Sequence, residues 1–103
     1  MHPLIDQHHT EISALCRRYG VRQLAAFGSV VRDDFDPARS DVDVVAEFEP
    51  VALGGNFDRY LSFKTGLEQL LARPVDVVEM SAVRNTRLRR QIEASKVPVY
   101  AAA

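Results

Sequence analysis

Hydrophobic residues recur along the chain with two different spacings, and each spacing predicts one kind of element. In three segments the apolar positions lie three, four or seven residues apart, which is typical of a helix that buries one stripe. In four shorter segments, apolar and β-branched residues run together, which is typical of strands. The predicted helices cover residues 4–19, 57–73 and 85–96, and the predicted strands cover 21–27, 41–48, 74–80 and 97–100.

Short connections complete the predicted order of elements. Gly20 is placed to end the first helix. Residues 29–34 are too few for an ordinary helix, so we expect one or two helical turns that begin at Ser29. Pro98 has no backbone N–H to donate, which favours an edge position for strand 97–100. Because helices and strands alternate, the sequence predicts an α/β fold in which helices pack on a small mixed β-sheet.

The size and charge of the chain limit what this fold can do. Its 103 residues predict a single domain over 1–103. Thirteen basic and 14 acidic residues give a net charge of -1, so we expect no direct nucleic-acid partner. No segment approaches the ~20 apolar residues that span a bilayer, and the single cysteine, Cys16, cannot form an internal disulfide. We therefore expect a cytoplasmic protein without membrane contact.

Acidic residues interrupt two of the predicted strands. Side chains alternate between the faces of a strand, so Asp41 and Asp43 share one face with their Cα atoms ~6.6 Å apart. Two carboxylates among valines repel each other unless a cation lies between them. Asp76 reaches the same point if strands 41–48 and 74–80 are neighbours. Oxygen ligands favour magnesium, and three carboxylates suggest a two-metal site for phosphoryl or nucleotidyl transfer.

A glycine-serine pair ahead of the first acidic strand predicts a phosphate site. Gly28 permits a sharp turn and the close approach of a ligand to the backbone. The N–H groups at the start of the following turn, together with the Ser29 hydroxyl, are donors for an anion. Arg32 projects from the same turn, where it could pair with a phosphate or with Asp41. Asp76 is also a candidate to accept the proton of an attacking hydroxyl.

Two segments resemble a known family. Residues 28–48, GSVVRDDFDPARSDVDVVAEF, are similar to the signature of the minimal nucleotidyltransferases of the polymerase-β superfamily, in which Gly-Ser, a nearby arginine and a Ser-Asp-x-Asp strand recur. Residues 73–80, RPVDVVEM, resemble the third catalytic strand of that family. The resemblance implies that Gly28 and Ser29 hold a nucleotide triphosphate, that Asp41 and Asp43 ligate magnesium, and that Asp76 completes the acidic triad.

The resemblance also implies a reaction and a partner. Minimal proteins of this family are often antitoxins that silence a HEPN-type toxin, a helical ribonuclease, by attaching AMP to a tyrosine. It thus implies magnesium-dependent AMP transfer from ATP and a hetero-oligomer with the toxin. One residue departs from the pattern, because Asp33 follows Arg32 where the family commonly has glycine. Its charge favours an alternative, a catalytically weak antitoxin that acts by binding alone. Transfer to a small molecule is a third hypothesis, against which the lack of an acceptor domain argues.

The remaining polar features are expected to have ordinary structural roles. His8 and His9 are adjacent on a helix and face different directions, so we expect both to be solvated. Cys16 falls on the apolar stripe and is expected to be buried. The last helix carries a basic cluster that is either a solvated face or a surface for an acidic partner, formed by Arg84, Arg87, Arg89 and Arg90.

Overall fold

A computed structural model of the chain describes residues 2–32, 34–50 and 56–102. Within these residues the chain forms a four-stranded sheet, four α-helices and two short 3₁₀ turns. None of the described helices is long and apolar enough to cross a membrane. The strands are β1 (Val21–Phe27), β2 (Val42–Phe48), β3 (Val75–Glu79) and β4 (Val97–Ala101). The helices are α1 (Pro3–Gln7), α2 (His9–Arg18), α3 (Asn56–Leu71) and α4 (Thr86–Ser95), and the 3₁₀ turns cover Gly28–Val30 and Met80–Ala82.

The sheet is mixed, as the sequence predicts, and its strands lie in the order β3-β2-β1-β4. β1 pairs antiparallel with both β2 and β4, whereas β2 and β3 run parallel. A parallel pair cannot be joined by a tight turn, and the connection from β2 to β3 contains α3. β4 lies at an edge, where Pro98 is tolerated, so the prediction of an edge strand is confirmed.

The predicted helix over 4–19 is wrong in one respect, because the chain forms two helices there. The break falls at His8, which has φ -110° and ψ 17° and separates α1 from α2. Both helices still bury the same stripe, since Ile5 and Ile12 are each 2% exposed. The apolar residues therefore keep their spacing of seven across the break, so the spacing alone does not reveal that the helix is interrupted.

The two faces of the sheet carry different helices. Val44 of β2 is buried in a large core that it shares with α1, α2 and α3. Its neighbour Val45 is buried on the opposite face, in a smaller cluster with α4. The predicted period of two along this strand is therefore confirmed.

α4 covers the second face only in part. Ile92 is 1% exposed and packs against Ala25 and Val45. Leu88 lies one helical turn earlier, at a spacing of four residues from Ile92, yet its side chain is 43% exposed. A spacing of four places two residues on one helix face, but it does not say how far the sheet extends beneath them.

Aromatic and cationic contacts anchor the segment that leads into β2. Phe35 is 9% exposed, and its ring centroid lies 4.7 Å from that of His2 and 5.2 Å from the Arg73 guanidinium. Arg73 Nη1 also donates to the Pro37 carbonyl at 2.9 Å. These contacts tie the N-terminus and the start of β3 to the connection that delivers Asp41.

The single cysteine provides a direct test of the core. Cys16 is fully buried, and burial raises the pKa of its thiol from 9.0 to about 12, while the charge of Arg17 acts in the opposite direction. We expect a reagent that requires the thiolate to label the folded protein about 1,000-fold more slowly than the unfolded protein, because the thiolate fraction falls by about that factor. The colour released by a disulfide reagent measures both rates. Similar rates with and without denaturant would contradict this packing.

Candidate active site

The parallel pairing of β2 and β3 brings two of the predicted acidic residues together. In the register of this pair, Asp43 lies directly opposite Asp76. Alternate residues share a face, so both side chains project to the side of the sheet where Val45 and Val78 pack with α4. Asp41 directly precedes β2 and lies two residues from Asp43, which puts it on the same side. The structure thus places the three acids at one end of one face, with Asp41 and Asp76 exposed.

The electrostatics of Asp43 reflect this crowding. Partial burial raises the pKa of its carboxyl above the ordinary 3.8, the charges of Asp76 and Asp41 raise it further, and the charge of Arg32 acts in the opposite direction. Ionised Asp43 is therefore less favourable in the folded chain than in the unfolded chain. Its ionisation lowers the free energy of unfolding as the pH rises from the ordinary pKa through the raised one. A cation beside Asp43 offsets that penalty.

The three acids fit magnesium by the chemistry of their oxygen atoms. In the part of the chain that the structure describes, no group of three His, Cys, Asp or Glu side chains is arranged to hold a metal ion. Magnesium, however, usually binds one or two protein carboxylates and takes its other ligands from water and substrate phosphates. Asp43 and one neighbouring carboxylate, whose negative charges repel each other, suit an ion that is bound together with a nucleotide.

The turn after β1 lies against these acids. β1 and β2 pair so that Phe27 is opposite Asp43, which brings the next residue, Gly28, beside the Asp43 carboxylate. Gly28 has φ +72°, a left-handed conformation that glycine adopts without strain, and a Cβ atom there would overlap Asp43 Oδ2. Glycine is therefore the residue that fits this position, and the glycine turn and the acidic face form one site.

The helical turn starts one residue earlier than the sequence indicates. It covers Gly28–Val30 as a 3₁₀ turn whose N-cap is Phe27, and Ser29 lies inside it. The prediction that Ser29 opens the turn is wrong, because the positive φ of Gly28 already changes the direction of the chain. Val31 and Arg32 donate their N–H groups to the Gly28 carbonyl at 3.1 and 3.3 Å. The N–H groups of the residues before Val31, at the start of the turn, do not take part in the turn's own hydrogen bonds.

Arg32 has a partner that the sequence did not suggest. Its Nε and Nη2 donate to the two carboxylate oxygens of Asp34 at 3.1 and 3.3 Å, so the alternative of a pair with Asp41 is not observed. Both side chains are 63% exposed, and solvent weakens such a pair. A phosphate can therefore compete for Arg32. Asp33, the residue whose charge departs from the family pattern, lies outside the described residues.

Comparison with known proteins identifies the family. A family model described as a nucleotidyltransferase domain matches residues 12–99, which include the glycine turn and both acidic strands. The chain belongs to this nucleotidyltransferase family. The resemblance and the fold class predicted from the sequence are confirmed, and the protein is an enzyme of the nucleotidyltransferase class.

Individual relatives of this nucleotidyltransferase agree with the family match. The protein adenylyltransferase MntA of Thermococcus cleftensis is 34% identical over 82 residues, which cover 80% of this chain and 76% of that relative. A solved structure described as a candidate minimal nucleotidyltransferase has a TM-score of 0.78 at 29% identity, over 95% of this chain and 96% of the other. An MNT antitoxin, solved with a tri-AMPylated HEPN toxin of Shewanella oneidensis, has a TM-score of 0.67 at 17% identity, over 95% of this chain and 73% of the other, and shares the fold.

Sequence reasoning missed two residues that act on the site of this nucleotidyltransferase. Asp34 engages Arg32, and its spacing of two residues from that arginine was the available signal. Phe35 anchors the connection to Asp41, and an isolated aromatic residue in a polar turn was its signal. Both signals are local and weak, because neither one identifies the side chain that the residue contacts in the folded chain.

Substitution of the turn glycine tests the contact between the two halves of the site. We expect Gly28→Ala to reduce nucleotidyl transfer at least about 100-fold, because the added Cβ displaces the Asp43 carboxylate by a distance of order 1 Å. Gly20→Ala is the matched control. It also introduces alanine at a positive φ, +69°, but its Cβ would meet only the flexible end of Arg59 and the Glu49 side chain. Initial rates and thermal unfolding of both variants provide the measurement, and equal loss of activity in the two would contradict the contact.

Removal of the carboxylate that holds Arg32 tests the phosphate side of the site. We expect Asp34→Asn to lower the KM for the nucleotide substrate by about twofold, since exposed ion pairs are weak and the freed guanidinium becomes available to a phosphate. Glu49→Gln is the control, because it disrupts a comparably exposed pair with Arg22 outside the site. Steady-state kinetics decide the question: a higher KM in Asp34→Asn would show that Asp34 orients Arg32 instead of competing for it.

Proposed function

We propose that this nucleotidyltransferase transfers AMP from ATP to a hydroxyl group, that of a tyrosine, on a cognate HEPN-type toxin and thereby acts as an antitoxin. The observation that carries the proposal is the register of β2 and β3, which sets Asp43 opposite Asp76 beside the Gly28 turn. An acidic face next to a sharp backbone turn suits a nucleotide triphosphate bound with divalent cations. The relative named protein adenylyltransferase MntA supports AMP as the transferred group.

The acidic residues serve the metal side of the reaction. In this proposal Asp41, Asp43 and Asp76 are the ligands for magnesium, two ions in all. When bound by these residues, magnesium would supply positive charge that offsets the negative charge on the phosphates. We propose that Asp76 also accepts the proton of the attacking hydroxyl, which its exposed position opposite Asp43 supports.

The transfer is a displacement at phosphorus. The acceptor oxygen forms a bond to the α-phosphorus of ATP, the bond from that phosphorus to the oxygen of the β-phosphate breaks, and pyrophosphate leaves with the electron pair. The hydroxyl proton passes to Asp76. Gly28, Ser29 and Arg32 bind the phosphates through backbone N–H groups, a hydroxyl and a guanidinium. The chain thus contributes orientation and charge more than covalent chemistry.

The acceptor in this proposal is a protein. The MNT antitoxin that shares the fold was solved with an AMP-modified HEPN toxin, and the 34% identical relative is an MntA protein. A toxin that binds the antitoxin in a hetero-oligomer presents its own hydroxyl, so a single domain over 1–103 needs no acceptor domain of its own. We place this activity in the cytoplasm, where ATP is available.

One observation favours the alternative, an antitoxin that neutralises its partner by binding alone. The Arg32 guanidinium is engaged by Asp34 at 3.1 and 3.3 Å, which removes part of the positive charge available to phosphates. The alternative requires the same partner and differs only in chemistry. It predicts neutralisation of the toxin with no transfer of AMP.

Label transferred from ATP separates the two functions. With ATP labelled at the α-phosphate, magnesium and a candidate HEPN-type toxin, we expect the wild type to label the toxin. Asp43→Asn should reduce labelling at least about 100-fold, because loss of a metal ligand removes several kcal/mol of charge stabilisation in the transition state. Asp6→Asn, a change at an exposed acid of α1, is the control and should leave the rate unchanged. An unlabelled toxin that both wild type and Asp43→Asn still neutralise would establish binding alone.

The same variant tests metal binding without reference to activity. We expect magnesium to raise the unfolding temperature of the wild type near neutral pH, because an ion that binds the folded state stabilises it. Asp43→Asn removes the carboxyl whose ionisation opposes folding, so its unfolding temperature should be higher without magnesium and should respond little to it. A magnesium response that is equal in both proteins would contradict a role for Asp43 as a ligand.

A further inference from the structure

Three side chains of α3 close the free edge of β3. This strand lies at the edge of the sheet beyond β2, and an edge strand has backbone groups without a strand partner. Here Tyr60 Oη donates to the Val77 carbonyl at 2.8 Å, and Lys64 Nζ donates to the Val75 carbonyl at 2.6 Å. The Val75 N–H in turn donates to Glu68 Oε2 at 3.1 Å. Side chains of a helix therefore take the place of a fifth strand.

The three side chains form one row, which we call the edge clamp: Tyr60, Lys64 and Glu68. They are spaced four residues apart, so they lie above one another on one face of α3. Lys64 Nζ also lies 3.0 Å from Glu68 Oε2. The side chains of Lys64 and Glu68 are 30% and 32% exposed, about half the 63% exposure of the Arg32–Asp34 pair. The contacts of the edge clamp are accordingly less screened by solvent than that exposed pair.

The edge clamp holds the residues on both sides of Asp76. In a parallel strand, the backbone groups of successive residues point to opposite sides within the sheet. The backbone carbonyl groups of Val75 and Val77 point towards α3. The backbone groups of Asp76, which lies between them, therefore point towards β2, where Asp76 is opposite Asp43. The Asp76 side chain stands roughly perpendicular to the sheet. A shift of the Val75 or Val77 peptide therefore shifts the carboxylate.

We propose that the edge clamp is a positioning device for the reaction: Tyr60, Lys64 and Glu68 fix the peptides at Val75 and Val77 and so hold the Asp76 carboxylate beside Asp43. This inference rests on the proposed function, in which Asp76 completes the acidic triad. The clamp residues act through the backbone of β3 and do not contact ATP. Their removal thus affects the rate of AMP transfer more than the binding of ATP.

Removal of the acceptor at Glu68 is the first test. We expect Glu68→Ala to lower kcat for labelling of the HEPN protein about tenfold, with the KM for ATP changed by less than about twofold, because misplacement of a reacting group costs rate and not nucleotide affinity. Glu68→Gln keeps an oxygen acceptor for the Val75 N–H and should restore most of the rate. Glu93→Ala, at a glutamate that pairs with Lys96 on α4, is the matched control and should behave as wild type.

Amide hydrogen exchange gives a second readout that does not depend on activity. Glu68→Ala should accelerate exchange at the Val75 amide at least about tenfold, since that N–H loses its acceptor, while the amides of β4 exchange as in the wild type. Val75 exchange that is unchanged by Glu68→Ala overturns the clamp, whatever the activity. Faster exchange throughout the sheet, together with an equal loss of kcat in Glu68→Gln, also overturns it and indicates general destabilisation. A wild type that transfers no AMP overturns the proposed function, and the exchange measurement still decides on the clamp.

A milder variant, which removes only one hydroxyl group, keeps the proposal testable if the Glu68→Ala protein does not fold. Tyr60→Phe deletes only the bond to the Val77 carbonyl, and we expect kcat to fall about threefold with the KM for ATP unchanged. Tyr100→Phe removes a hydroxyl from β4 and serves as its control. Equal kcat in Tyr60→Phe, Tyr100→Phe and wild type would contradict a positioning role for this end of the clamp.

Discussion

The parallel pairing of β2 and β3 is the interaction on which the site of this protein depends. Its register sets Asp43 opposite Asp76, and the same register buries Val75 and Val77 to 1% and 3% exposure on the other face. A slip of one residue would turn Asp76 into the core and a valine out to solvent. Burial of an unpaired carboxylate costs several kcal/mol, so the slipped arrangement is strongly disfavoured. The hydrophobic face of β3 therefore fixes the position of Asp76 on the opposite face.

The negative charge on the acidic face destabilises the folded chain. Its effect is limited, because two of the three acids remain exposed to solvent. Asp43 is partly buried and flanked by two carboxylates, and these conditions raise the pKa of its carboxyl. Asp41 and Asp76 remain exposed because they lie at the starts of their strands, beyond the stretch that Ile92 of α4 covers. This arrangement costs the free protein some stability, and a cation bound beside Asp43 would offset that cost. Gly28, beside Asp43, brings the backbone of the turn to the point where that charge is concentrated.

Hydrophobic spacing predicted the parts of this fold that burial determines. All four strands lie within a residue of their predicted bounds at each end, and the alternation of Val44 and Val45 between faces follows from the pleat. The features that spacing missed depend on local polar geometry. The break at His8 leaves the apolar stripe intact, and the partner of Arg32 is decided by how one loop folds back on itself. The roles of Asp41, Asp43 and Asp76 remain predictions of chemistry, although the strand register places these residues together.

α3 shows why a polar row can escape notice in a sequence. Phe63 and Leu67 point into the core at 0% and 1% exposure, and Lys64 and Glu68 each follow one of them by a single residue. Successive residues on a helix differ by about 100° in direction, so the polar row borders the buried one. A lysine and a glutamate four residues apart resemble an ordinary surface pair, worth a few tenths of a kcal/mol. Here the neighbouring edge of β3 gives that pair backbone partners, and the helix that joins two parallel strands also closes the second of them.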